Sequence, residues 1–136
     1  MNFLLDTNVL SELFKKHPEP KVSKWLTEAD QDSLFLSVLV LGEIRKGIEK
    51  MEPAPRKARL IHFLEKDIPA QFEERILPVD SEVEEAWGLL EAQAGRPLPT
   101  VDTLLAATAL VHNLTLVTRN TNDFPFPKIK LLNPWE

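Results

Sequence analysis

The chain has 136 residues, 43% of them apolar and 27% charged, and its pI is about 5.3; this suits one soluble globular domain, residues 1–136, with a sizeable core. No apolar run approaches the roughly 20 residues of a membrane span, and no basic region precedes an apolar one at the N-terminus, so neither a span nor a secretory signal is expected. The lack of cysteine excludes disulfides, thiolate zinc sites and a cysteine nucleophile and fits a reducing cytoplasm, while the net charge of −5 argues against a general nucleic-acid binder and suits a basic partner, or an enzyme that holds phosphates through metal ions.

Phe3–Leu5 is an apolar run too short for a helix and suited to a buried strand. Asp6, Thr7 and Asn8 follow it, small polar residues that favour turns and helix N-caps. Asn8 to Phe14 reads as a short helix that ends before Pro18. Pro20 suits the first turn of a second helix, in which Val22, Trp25, Leu26 and Ala29 form an amphipathic stripe. Asp30–Ser33 is a polar break, and Leu34–Ser37 a second buried strand. The spacing predicts a helix over Val38–Met51, with Val40, Ile44, Ile48 and Met51 on one face, and another over Arg56–Lys66, with Leu60, Ile61 and Leu64 inward. A short strand covers Ile76–Val79, placed at an edge or made irregular by Pro78.

Ser81 with Glu84 has the form of a capping box. The helix behind it carries Val83, Ala86, Trp87, Leu90 and Ala94 on one face, and Gly95 is its natural C-cap. Thr100 is the expected N-cap of a helix over Val101–His112, with Asn113 ending it in the left-handed conformation. That helix is apolar nearly all round and should be deeply buried. Leu114–Thr118 is a strand, Arg119–Phe124 a polar loop, and Ile129–Leu132 the last short strand. Strands alternating with helices imply a mainly parallel sheet of four to five strands with helices on both faces, a three-layer α/β/α sandwich. Ligands of such sheets gather at the carboxyl edge.

Acids fall at corresponding points of this plan. Asp6 follows the first strand. Glu43 lies in the helix after the second, next to Gly42. Asp102 sits in the first turn of the apolar helix, and Asn120 and Asp123 lie in the loop after Leu114–Thr118. Taken singly, each has a plainer reading: Asp6 as an N-cap, Asp102 as a dipole partner, Glu43 as a solvated helix residue, Asn120 and Asp123 as turn formers. Together at one sheet edge they would repel one another and call for a cation, and oxygen-only ligands select Mg²⁺ or Mn²⁺. Such a site suits phosphodiester hydrolysis by an activated water without histidine; His17, His62 and His112 share no spacing. Arg45, Lys46, Arg119 and, less directly, Arg96 are the basic residues near the acids. No glycine-rich phosphate loop is present.

The segments Leu-Leu-Asp-Thr-Asn-Val-Leu-Ser-Glu (4–12), Gly-Glu-Ile-Arg-Lys-Gly-Ile (42–48), Asp-Thr-Leu-Leu-Ala-Ala-Thr-Ala (102–109) and Leu-Val-Thr-Arg-Asn-Thr-Asn-Asp-Phe (116–124) resemble the PIN-domain family, and within it the VapC toxins of toxin–antitoxin pairs, including the FitB-like branch. The C-terminal Leu-Asn-Pro-Trp-Glu (132–136) is similar to that branch as well. The resemblance covers essentially the whole chain. It implies an endoribonuclease that uses Mg²⁺ or Mn²⁺, forms homodimers, and is inhibited by a cognate VapB-like antitoxin whose tail enters the cleft, with DNA reached only through the antitoxin. It places Asp6, Glu43 and Asp102 as metal ligands, with Asn120 and Asp123 completing the catalytic set; the family often has Asp where Asn120 stands. Arg45 and Arg119 are the expected RNA contacts, and Thr7, Asn8 and Thr118 the residues that support the acids. Two rivals remain: a non-catalytic PIN-like subunit acting mainly through a DNA-binding complex with its antitoxin, and an aspartate-nucleophile phosphatase, disfavoured because Asn8 stands where a second Asp is usual.

Overall fold

The computed structural model describes residues 1–136. Five strands form one sheet in the order β3-β2-β1-β4-β5, every neighbouring pair parallel. They are β1 (Phe3–Leu5), β2 (Leu34–Ser37), β3 (Ile76–Leu77), β4 (Thr115–Val117) and β5 (Lys130–Leu132). The helices are α1 (Thr7–Glu12), α2 (Pro20–Glu28), α3 (Val38–Glu49), α4 (Pro55–His62), α5 (Ile68–Gln71), α6 (Ser81–Ala94) and α7 (Thr100–Val111). They cover both faces of the sheet, giving the three-layer sandwich. On one side α1 packs on α2 and α3, and α3 on α4; elsewhere α6 packs along α7, which rests on β4.

The central strands are apolar on both sides because both faces are covered. Leu4, Leu5, Leu36, Leu116 and Val117 are essentially inaccessible. Residues Thr103, Leu105, Ala106, Ala107, Thr108 and Ala109 of α7 are buried too, as its all-round apolar surface requires. Short Ala and Thr side chains let α7 lie close to α6 and the sheet. The two threonines return their hydroxyls to their own helix, Thr103 to the Pro99 carbonyl and Thr108 to the Leu104 carbonyl.

Most expected punctuation is present. Gly95 has φ 68° and Asn113 φ 53°, the left-handed ends foreseen for α6 and α7. β3 is an edge strand that stops at Leu77, before Pro78 removes a ladder donor. Three expectations need correction. Asp80, not Ser81, caps α6: its Oδ1 accepts the Val83 N–H at 3.1 Å, and Ser81 is the first helical residue. Thr100 is likewise already helical, and Pro99 occupies the cap position with no side-chain acceptor. The helix expected over Arg56–Lys66 continues to Gln71 through a wide turn, Phe63–Asp67, with an i→i+5 bond from the Ile68 N–H to the Phe63 carbonyl. Pro69 falls in the first turn of α5, directly behind the wide turn, where its missing N–H is tolerated. The wide turn also swings Phe63, Leu64 and Ile68 into the core.

Candidate active site

The strand order reverses direction at β1. From it the chain builds outward to β2 and β3 on one side and later to β4 and β5 on the other, so the crevice at the carboxyl ends of β1 and β4 is the switch point where open α/β sheets bind ligands. Leu5 pairs with Val117 in register. The next residues on each strand, Asp6 and Thr118, therefore stand side by side at this crevice. Helix α7 feeds β4 through a tight turn and runs back against the sheet, which brings its N-terminal turn, with Asp102, to the same edge. Helix α3 starts directly at the end of β2 and carries Glu43 there.

Asp6 is only 8% exposed. One carboxylate oxygen accepts the Thr7 N–H at 2.7 Å and the other the Thr118 hydroxyl at 2.8 Å. Asp6 is thus the N-cap of α1 as well as a member of the acidic group. Each oxygen retains a lone pair for a further partner. The Thr7 hydroxyl donates to Glu43 Oε1 at 2.6 Å, so Thr7 links Asp6 to Glu43. Thr118 is fully buried; besides donating to Asp6, it accepts from the Asn120 N–H at 3.1 Å and from Asn8 Nδ2 at 3.4 Å. Asn8 Oδ1 in turn accepts the Arg119 N–H. The loop after β4 is therefore tied to the start of α1 through Thr118 and Asn8.

The electrostatics reveal which acids share the cleft. Burial pushes the Asp6 carboxyl up, against the lowering effect of the Thr118 and Thr7 hydrogen bonds, and the charges of Glu43 and Asp123 add to the rise. Asp102 is pushed to about 6, first by burial and then by the charges of Asp6, Asp123 and Glu43. Asp6 and Asp102 both feel the charges of Glu43 and Asp123, and Asp102 also feels Asp6, so these four acids share the cleft. Asn120 enters through its backbone, and a turn over Thr121–Asp123 carries Asp123. As the side chains stand, no three acids enclose a point at ligand distance. The donor set, all oxygen, with Asp6 and Asp102 raised by burial and by the neighbouring charges, fits a hard divalent cation.

The basic residues are placed less uniformly. Arg45 is engaged by Glu65 at 2.8 Å and Glu49 at 3.5 Å, which raises its pKa. The Arg119 guanidinium lies over the Trp135 ring, 5.3 Å from its centroid. Its charge also helps to lower the Glu12 pKa, behind the hydrogen bonds from Lys15 and the Glu19 N–H. Glu12 was not singled out from the sequence. It is covered by these partners at the rim of the molecule and closes the turn from α1 to α2. Also unread in the sequence is an apolar groove of about 200 Å³ between α1, α3 and α4, lined by Leu10, Phe14, Ile44, Ile48, Leu60 and Phe63 and opening on Thr7 and Glu43. Each helix showed its apolar stripe, but not that the three stripes leave a gap.

The family model of the PIN domain matches residues 3–130. The chain is 33% identical to VapC ribonuclease Y4jK of Sinorhizobium fredii, over 98% of this chain and 97% of that one. It is 34% identical to toxin FitB of Neisseria gonorrhoeae, over 97% of each. Its structure is similar to that of a chain in FitAB bound to the IR36 DNA fragment, with a TM-score of 0.90 and 31% identity over 98% of this chain and 96% of that one.

Proposed function

The chain belongs to the PIN-domain family, and from this premise we propose that it is a divalent-metal-dependent endoribonuclease, the toxin of a toxin–antitoxin pair. The observation that carries the reading is the mutual influence of Asp6, Glu43, Asp102 and Asp123 at the β1–β4 switch point. Carboxylates buried and gathered so that one is raised to about 6 suit a cation, and a pure scaffold has no need of them. The relative named a ribonuclease, matched from end to end, supports the choice of RNA.

Asp6, Glu43 and Asp102 would hold Mg²⁺ or Mn²⁺, with Asp123 and the neutral amide of Asn120 completing the set. The ion supplies Lewis acidity toward a phosphoryl oxygen and toward the attacking water. Everything else falls to the chain. Thr7 and Thr118 fix both oxygens of Asp6, so its lone pairs are aimed before substrate arrives. The Thr7 hydroxyl holds Glu43 in the same frame. Asn8 and Thr118 anchor the loop that carries Asn120 and Asp123. Arg119, steadied over Trp135, is positioned to meet phosphate oxygens as a fixed charge.

The partner is an antitoxin of VapB type, and its place is the apolar groove that opens on Glu43. The relative named a toxin and the DNA-bound FitAB structure support an assembly that reaches DNA through the partner, which suits a chain of net charge −5. A homodimer is proposed on the family resemblance. No helix is long and apolar enough to cross a membrane, and a cytoplasmic site of action is part of the same proposal.

The test is cleavage of a labelled RNA by the purified chain freed of its partner. Activity is expected with Mg²⁺ or Mn²⁺ and none in chelator. Asp6→Asn and Asp102→Asn should each lose more than the 10- to about 100-fold typical of removing an outer partner of a metal ligand. Equal activity of wild type and both variants would overturn the assignment.

A further inference from the structure

We infer that the RNA strand leaves the acidic cleft along the exposed face of α3, where Lys46 and Lys50 hold the phosphates next to the scissile one. This rests on the ribonuclease reading and extends it. Beside the acids lies an open recess of about 560 Å³, lined by Val38, Leu39, Gly42, Glu43, Lys46 and Gly47 of α3, by Lys50 at its C-cap and by Val101 at the start of α7. Glu43 belongs both to this recess and to the acidic group, so the recess continues the cleft. Lys46 and Lys50 lie one and two helical turns beyond Glu43, roughly 5 and 10 Å along the axis, the order of spacing of successive phosphates on an extended strand. Neither lysine has a carboxylate within ion-pair distance, whereas Arg45, one residue from Lys46, is taken by Glu65 and Glu49. What sets Lys46 and Lys50 apart is their place: both line the recess that Glu43 shares with the cleft, in a chain whose net charge is −5.

The glycines of α3 point the same way. A Cβ at Gly42 or Gly47 would meet nothing within 4 Å, so internal packing does not require either residue. Glycine inside a helix weakens it, and both line the recess. Their use is to let the sugar–phosphate chain approach the helix backbone, at Gly42 beside Glu43 and at Gly47 between the lysines.

The experiment measures binding of a short fluorescein-labelled single-stranded RNA by anisotropy in Mg²⁺ over a range of salt, with Asp102→Asn in every protein to prevent cleavage. Adding Lys46→Ala and Lys50→Ala is expected to weaken binding about tenfold and to reduce the slope of log K against log salt by about 0.7 per lysine. Lys46→Arg with Lys50→Arg should restore both. Gly42→Ala should raise the melting temperature yet weaken RNA binding. An unchanged slope with either lysine removed would overturn the path while leaving the ribonuclease reading untouched if the wild type still cleaves. A reduced slope with a wild type that does not cleave would uphold the path and remove the hydrolytic reading instead. A change in oligomeric mass on removing the lysines would overturn it too, marking the face as a contact between copies.

Discussion

Asp6 and Thr118 show how much a single hydrogen-bonded residue decides here. Thr118 is inaccessible, and its hydroxyl serves Asp6, Asn120 and Asn8 together. Thr118→Val keeps the shape but strands buried or half-buried partners, so a stability loss of about 1–3 kcal/mol is expected in denaturant melts, with a fall in RNA cleavage from an unanchored Asp6. Asp102 sets a pH dependence whose sign follows from its raised carboxyl. Its pKa is about 6 in the fold against 3.8 ordinarily, so the folded protein binds the proton more tightly than the unfolded chain does. This contribution to stability is complete below 3.8 and is lost as pH rises through about 6; Asp6 acts in the same direction. Melting temperature in chelator should fall across that window, and Asp102→Asn should flatten the fall and melt higher at pH 7. Added Mg²⁺ should raise the wild-type melting temperature at pH 7 and have little effect on the variant. A melting temperature that rises with pH in chelator would contradict the crowding of the acids.

At the scale of the element, the caps separate what one sequence can and cannot say. Asp80 accepts the Val83 N–H, so Asp80→Ala should cost about 1 kcal/mol and Ser81→Ala only a few tenths, as thermal melts of the two variants will show. The Ser-x-x-Glu pattern points to Ser81, but Asp80 beside it has similar capping strength, and only the backbone decides between them. The same holds for Thr100, displaced by Pro99. By contrast, the strands over residues 3–5 and 34–37, the all-apolar α7 and the left-handed ends at Gly95 and Asn113 were legible, because each rests on a local rule of period or conformation. The wide turn at Phe63–Asp67 was not, since it answers to the core beneath and not to its own residues. The gathering of the acids at one sheet edge was legible from the alternation of strands and helices. The hydrogen bonds that tie Asp6 to Thr118 were not, because they depend on β4 lying next to β1 across more than a hundred residues of chain.

At the scale of the whole molecule, the cleft has two open flanks of opposite character that meet at Glu43: the basic recess along α3, and the apolar groove between α1, α3 and α4. One suits a polyanion and the other a protein segment that presents apolar side chains. A partner seated in the groove would sit against Thr7 and Glu43 and so block the cleft without competing for the lysines. Leu60 tests this division. It lines the groove from α4 and is half-buried against the core, so Leu60→Glu should lower the melting temperature yet keep the fold, which the melt of the variant checks, while placing a charge where the partner buries apolar surface. Binding of the antitoxin encoded by the adjoining reading frame, measured by titration calorimetry, should weaken at least about tenfold, or 1.4 kcal/mol. RNA cleavage by the free variant should match the wild type, but a partner concentration that silences the wild type should leave the variant active. Unchanged inhibition of Leu60→Glu would place the partner elsewhere and leave the apolar groove without an occupant.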